Sequence, residues 1–457
     1  MALAHSFAAN PHWLPRLPGD ALRHIPGEDG PPVIGNTLKL LRDPPAFGKR
    51  MFETYGPVYR NRAFGMTGVT MIGPEANELL LFDRAKIFSS EQGWGPTLNL
   101  LFPRGLMLMD FDHHRADRRT LSVAFKPEPM RHYAERLNAG IAAEIGSWAN
   151  RPIRFYDAIK KLTLDLAADC FLGMPLGPEA DRINKAFVDE VQASVAPIRR
   201  PWPGTAMGRG ARARAYLIDL FKREIPARRQ GEGRDFFSQF CRATDEGGQP
   251  LSDQAIADHM NFLMMAAHDT ITSSATSLVM MLGRHATWQE KLRDEVMALG
   301  LNDDDGPGYA QLDKLELTLM AFREALRLIP PVPSLPRRAL KDFEFGGYRI
   351  PAGTPVTVAV SATHVMPEHW PDPFTFDPMR FTPDQVRARH KYAWVPFGGG
   401  AHMCLGLHFA EMQIRILIAQ LLRRYRIELD DRSGTEWQPW PIPRPRDGLP
   451  LRFVPLD

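Results

Sequence analysis

Between about Met130 and Leu301 apolar residues recur three and four positions apart, as at Leu162, Leu164, Leu166, Ala167 and Cys170, and this spacing predicts helices with one buried face. Short β patterns bracket that stretch. Val58 to Arg62 and Val69 to Ile72 precede it, and Phe343 to Ile350 and Val356 to Val360 follow it, with Gly346-Gly347 and Pro351-Ala352-Gly353 as turns. Strands drawn from both ends of a chain have to meet in space, so the pattern predicts a mainly α fold with small β-sheets. The longest helix starts after Ser252, a good N-cap with Asp253 in the first turn, and runs to about Gly283. At 1.5 Å per residue it spans roughly 45 Å, the width of a whole domain. Its centre, Met260 to Ala267, is apolar on nearly all sides and so predicts burial, until His268, Asp269, Thr270 and Thr272 interrupt the run. Ala227 to Gly233 and Asn302 to Gly308 carry charge and turn formers, and read as surface loops inside one domain.

Composition narrows the class. The 457 residues are 44% hydrophobic and 24% charged, which supports a large core and excludes collagen-like, disordered and small disulfide-stapled chains. Lys plus Arg exceeds Asp plus Glu by 56 − 53 = 3, and no basic tail concentrates the excess, so no nucleic-acid partner is implied. Residues 1–30 include His5, Pro11, Arg16, Pro18, Asp20, Arg23 and Pro26. They read as an N-terminal extension with neither a signal-peptide stretch nor a spanning helix, and a cytoplasmic location without a membrane anchor is the expectation. Three cysteines are too few and too odd for a disulfide framework, and Cys170 and Cys241 read as core residues on helices.

Cys404 has a different setting. Phe397-Gly398-Gly399-Gly400-Ala401-His402-Met403-Cys404-Leu405-Gly406 precedes an amphipathic helical pattern that runs to about Tyr425. A glycine turn therefore brings one thiol to the start of a helix, where unpaired N–H groups favour a thiolate, and the glycines allow close approach of a flat ligand. A zinc site using His402 and His408 is the alternative, but it lacks a second cysteine pair. The spacing of Phe397, Gly400, Cys404 and Gly406 resembles the haem-ligand loop of the cytochrome P450 monooxygenases. The resemblance implies that residues 31–457 form a single P450 haem domain with a long central helix, holding haem b (iron protoporphyrin IX) with Cys404 as the axial iron ligand.

Three further motifs occur in the family's order. Glu324 and Arg327, i and i+3 on a helix ending at Pro330-Pro331, and Arg380 between Phe376 and Phe381 look like its structural salt-bridge triad. Read without the family, Glu324 and Arg327 are a solvated helix pair. Ala266-Ala267-His268-Asp269-Thr270 is similar to the family's oxygen-activation motif, in which Asp269 and Thr270 would relay protons, although Ala267 replaces the usual glycine. The plain alternative is a Thr270 hydroxyl bonded back to the Ala266 carbonyl and an Asp269 that is merely paired. His114, Arg118, Arg337 and His402 match positions that anchor the haem propionates, with Arg338 an alternative to Arg337.

The resemblance implies a monooxygenase that hydroxylates an unactivated C–H bond with dioxygen. The chain carries no flavin or nicotinamide fingerprint, so electrons from NAD(P)H would reach it through a ferredoxin-type partner and its reductase. Arg115, Arg119, Lys126, Arg415, Arg423 and Arg424 form a candidate docking face, or else a solvated charged surface. By position in the family the pocket draws on Trp94, Leu98 and Phe102 in a loop, Phe262, Met265 and Ala266 on the long helix, then Val332, Leu335 and Ile442. These apolar residues point to a bulky, neutral, lipophilic substrate such as a steroid or terpenoid, handled by a monomer. The alternatives are a peroxide-driven peroxygenase, a haem-thiolate isomerase or dehydratase, and a non-enzymatic haem sensor.

Overall fold

The computed structural model describes residues 13–32, 34–174, 177–302, 305–430 and 432–456. His5, Pro11 and the Asp303-Asp304 pair of the second turn lie outside the described residues. The architecture is mainly helical, with one six-stranded sheet and three smaller sheets at the periphery. In spatial order the large sheet holds Gly27–Glu28, Val58–Ala63, Met66–Met71, Pro355–Val358, Leu335–Ala339 and Phe88–Ser89. The two ends of the chain meet where Val69 pairs with Val356 in a parallel ladder, as the alternating patterns require.

The central helix, Asp253–Arg284, starts at Ser252, whose Oγ accepts the Ala255 N–H at 3.2 Å. It packs on the Phe155–Leu172, Ala206–Gln230 and Glu316–Leu328 helices around the main apolar cluster. No helix among the described residues is long and apolar enough to cross a membrane.

Four expectations shift once packing is seen. The Ala227 to Gly233 loop begins only at Gly231, because the preceding helix continues through Gln230. Charge alone does not end a helix, and here the charges tie it down. Arg228 donates to the Leu172 carbonyl (2.7 Å), and Arg229 donates to the Leu251 carbonyl (2.8 Å). The Val356 to Val360 strand stops at Val358, and Val360 opens the short Val360–Thr363 helix. Within the expected N-terminal extension, described residues pack onto the domain. Leu22 and Ile25 are buried in the apolar cluster under the large sheet, and Gly27–Glu28 pairs with Arg60 and Asn61.

The fourth shift concerns the pocket wall. The segment containing Trp94 and Leu98, expected as loop, is the Ser90–Leu98 helix. Its sequence, SEQGWGPTL, contains Gly93, Gly95 and Pro96. In a helix interior each glycine is about 1 kcal/mol, and the proline about 3 kcal/mol, less favourable than alanine. Tertiary contacts therefore have to supply what local propensity withholds. Asp110 provides part of this, accepting the Ser90 N–H at 2.7 Å and the Glu91 N–H at 3.3 Å.

Candidate active site

The Cys404 loop is shaped by its backbone. Gly398 and Gly400 take left-handed conformations (φ 70° and 59°), and the Cys404 N–H returns to the Phe397 carbonyl at 2.8 Å. Space for side chains at Gly399 and Gly400 is already filled by Phe82 and by the Leu81 carbonyl. Gly399 and Gly400 therefore allow the close approach of the neighbouring Pro74–Leu81 helix and Phe82. The Leu407–Arg424 helix follows directly.

Cys404 is accessible, yet protein atoms surround it on most sides, so its sulfur faces a recess rather than bulk water. Burial pushes its thiol pKa up, against the Gly406 N–H and the Arg118 guanidinium, which both favour the thiolate. The helix start thus does not lower the thiol pKa in the protein alone. Burial is the larger effect.

Beside that sulfur four basic groups converge. His114 and Arg118 lie one turn apart on the Phe111–Leu121 helix, and the His114 ring is stacked at 3.9 Å between centroids on His402. Arg337 reaches in from the Leu335–Ala339 strand, almost fully buried, with only the Pro336 carbonyl as hydrogen-bond acceptor (2.9 Å). Burial and then the neighbouring arginines hold His114 down to about 4, while burial, Arg337 and His114 hold His402 down to about 2. Burial brings Arg337 to about 10. No carboxylate among the described residues forms an ion pair with any of the four. Such a cluster suits an anionic guest, and the two propionates of haem match its charge and its place beside a thiol. Arg338 points to the other face of the strand, where it donates to the Pro15 carbonyl at 2.7 Å, so Arg337 is the arginine that joins the cluster.

The polar interruption of the central helix is also built in. Thr270 Oγ1 donates to the Ala266 carbonyl at 2.8 Å, and Asp269 Oδ1 meets Lys160 Nζ at 2.9 Å, with His268 Nε2 at 3.5 Å. Burial raises the Asp269 pKa, but His268, Lys160 and Arg444 together pull it below the usual carboxylate range. Both plain contacts foreseen for Asp269 and Thr270 are thus present. The expected all-round burial of the helix centre is not. Met265, Ala266, Ala267, Asp269 and Thr270 are half-exposed between fully buried flanks. Small and polar residues at these positions leave the helix with one face open inside the protein.

A cytochrome P450 family model matches residues 25–444. The chain belongs to the cytochrome P450 family. Among its relatives, cytochrome P450 136 of Mycobacterium tuberculosis, a protein so named by inference, is 38% identical over 96% of this chain and 90% of its own length. A cyanobacterial P450 solved with retinoic acid bound superposes with a TM-score of 0.86 at 31% identity, over 94% of this chain and 99% of that one. The taxane 10-beta-hydroxylase of Taxus cuspidata is 27% identical over 94% of this chain and 89% of its own. This P450 is therefore a haem-thiolate monooxygenase that draws its electrons from an external redox chain.

The remaining expected residues fall into three groups. Glu324, Arg327 and Arg380 come together in the core of this P450, not on a solvated helix face. Arg327 and Glu324 are fully buried and joined by two hydrogen bonds (2.6 and 2.7 Å), and Arg380 Nε lies 3.4 Å from Glu324. Of the lining residues, Phe102 and Phe262 meet edge-to-face at 6.4 Å, with Leu98 buried and Trp94, Met265 and Ala266 half-buried in the same cluster. Val332, Leu335 and Ile442 are half-buried. Ile442 belongs to a hairpin tied to the central helix by Ser273 Oγ donating to the Pro443 carbonyl (2.6 Å).

Of the basic docking set, Arg115 and Lys126 are exposed. Arg119 pairs with Glu246, and Arg415 and Arg423 bind the carbonyls of Leu312 and Asn302 (2.7 and 2.6 Å). Arg424 donates to the Gln420 side chain at 3.1 Å. Much of that set fastens the fold together. Sequence reasoning missed Lys160, His268 and Arg444 around Asp269. A lysine within the apolar Phe155–Leu172 helix was the available signal for the first of them.

Proposed function

We propose that this P450 hydroxylates a bulky lipophilic molecule of the steroid or terpenoid class, using electrons that pass from NAD(P)H through a ferredoxin and its reductase. One observation carries the site: a cluster of four buried or half-buried basic groups, none ion-paired with an acid among the described residues, next to an accessible cysteine sulfur that shares Arg118 with it. In this reading Cys404 Sγ binds the haem iron, the Gly406 N–H steadies the thiolate, and Arg118, Arg337, His114 and His402 receive the propionates. Bound haem supplies the activation of dioxygen, one atom of which enters the C–H bond while the other leaves as water with two electrons and two protons.

The chain's own residues manage protons and exclude water. The Thr270 hydroxyl hydrogen is committed to the Ala266 carbonyl, which leaves its oxygen lone pairs free to accept a hydrogen bond on the open face of the helix. Asp269, held against Lys160, stands one residue away as the group through which protons arrive. Trp94, Leu98, Phe102, Phe262 and Met265 provide an apolar wall, with no charge to hold a short polar acid. The retinoic acid named for one relative and the taxane named for another are isoprenoid lipophiles of the proposed kind.

Reduction under carbon monoxide tests the ligation. A thiolate-type red-shifted band that disappears in Cys404→Ser is expected, and its absence from the parent protein sinks the reading. Steroids and terpenoids should shift the haem absorption, and a panel in which only fatty acids do so reverses the substrate class. Thr270→Ala should consume dioxygen with little product; unchanged coupling favours a peroxide-driven enzyme.

A further inference from the structure

We propose that Trp13 is a positioning residue for substrate, through which an N-terminal arm, Trp13 to Leu17, fixes the Ser90–Leu98 wall of the pocket. The inference rests on the reading of that helix as a pocket wall. Its starting point is a helix containing two glycines and a proline, which does not hold itself together.

The arm touches it at three places. Trp13 Nε1 donates to Glu91 Oε1 at 2.9 Å, Gln92 Oε1 accepts the Leu14 N–H at 3.0 Å, and the Trp13 ring lies against Gly95 so closely that any side chain there would collide with it. The arm is itself anchored downstream, because Arg338 donates to the Pro15 carbonyl (2.7 Å) and Leu17 packs in the apolar cluster under the large sheet.

Helix geometry decides what this contact controls. Glu91 and Gly95, one turn apart, face the arm, and Trp94 and Leu98, also one turn apart, pack into the main apolar cluster with Phe102 and Phe262. On its inner side the helix rests directly on the strand that carries Arg337, where a Cβ at Gly93 would come within 2.6 Å of the Arg337 Cα. At its C-terminal end Arg199 donates to the Thr97 carbonyl at 2.6 Å. Asp110 and Arg199 fix the two ends, the Arg337 strand backs Gly93 from within, and Trp13 presses on the middle from outside, at the glycine preceding Pro96. A loss there lets Trp94 move while both ends stay fixed.

Two azoles read this difference in the holoenzyme by the shift of haem absorption. Clotrimazole is bulky enough to press on the wall, whereas imidazole reaches only the iron. Trp13→Ala should weaken clotrimazole by about fivefold or more and leave imidazole within about twofold, with Trp13→Phe restoring most of the loss. Gly95→Ala should weaken clotrimazole in the parent but not in Trp13→Ala, where the ring that it strikes is gone. In Trp13→Ala, backbone amides of Gly93 to Thr97 should exchange hydrogen at least about tenfold faster, and those of the central helix at the parent rate. Equal loss of both azoles, no loss of either, or unchanged exchange at Gly93 to Thr97 overturns the proposal. Absence of any azole shift in the parent instead overturns the haem reading on which it stands, while the exchange measurement still tests the clamp itself.

Discussion

Two buried polar clusters lie in this P450, and they are built on opposite principles. Around Glu324 an acid meets two arginines, and Arg327 also donates to the carbonyls of His364 (3.0 Å) and Pro373 (2.6 Å). Its arginines are held within the chain by the one acid and by backbone carbonyls. Around Arg337 four basic groups gather with no ion-paired acid among the described residues; burial lowers the pKa of each, neighbouring cations lower His114 and His402 further, and Asp110 and Asp83 only partly offset the effect at Arg337. Polar atoms out of water are tolerated when paired, so the first cluster is complete as folded and the second is complete only with an anion. That contrast separates a lock from a receptor without reference to any motif.

The sharpest attempt to break the contrast is Glu324→Ala. It leaves Arg327 and Arg380 buried without an acid, a loss of about 3–5 kcal/mol for a broken buried pair. Little folded protein should be recovered, and thermal melting of what remains should fall steeply. Arg337→Ala should do the reverse. Removing one of several like charges leaves the melting temperature of the apoprotein level or higher, while haem passes to apomyoglobin about tenfold faster or more. If the Arg337 variant destabilises the apoprotein as the Glu324 variant does, the distinction fails.

A smaller effect is expected at Glu190, a buried acid with one hydrogen bond, from Asn261 (2.8 Å). Burial raises its pKa to about 8, against the hydrogen bond from Asn261 and the charge of Arg214. The folded state therefore binds a proton that the unfolded state releases above its ordinary carboxylate pKa of about 4.3. Stability is lost as pH rises from that value to about 8. Glu190→Gln, which keeps the neutral shape, should flatten this slope, so that its melting temperature exceeds the parent's by a few degrees at pH 8 and matches it at pH 5. A parent and variant that melt in parallel at all pH values would remove Glu190 from the account.

Local features were readable in the sequence wherever one short segment carries the signal. The Cys404 loop, the Ser252 cap and the alternating strands at Val58 and Val356 are of this kind. Features decided by a distant partner were not. The Ala227 to Gln230 segment looks like a turn until Leu172 and Leu251 are seen to bind its arginines. Ser90–Leu98 looks like a loop because its propensity is poor, and Asp110, Arg199 and Trp13 help the Ser89 cap to hold it as a helix. The packing need for Gly399 and Gly400 was not readable either, since it is set by Leu81 and Phe82 more than 300 residues earlier. Glu324 and Arg327 could be found by spacing, but their burial could not, because it depends on the Pro373 to Asp377 segment wrapping over them.

The pairing of Val69 with Val356 also has a consequence in time. The two residues are 356 − 69 = 287 positions apart. At a ribosomal rate of about 5–20 residues per second, the partner of Met66–Met71 emerges roughly 15 to 60 s after it. Throughout that interval the Val58–Ala63 and Met66–Met71 hairpin presents an unpaired strand edge to whatever else is in the cell. Arg337 and Cys404 flank that late strand in the chain, at positions 337 and 404. The Arg337 strand and the Cys404 loop are therefore among the last parts of the molecule to be made during synthesis, after most of the chain that they pack against.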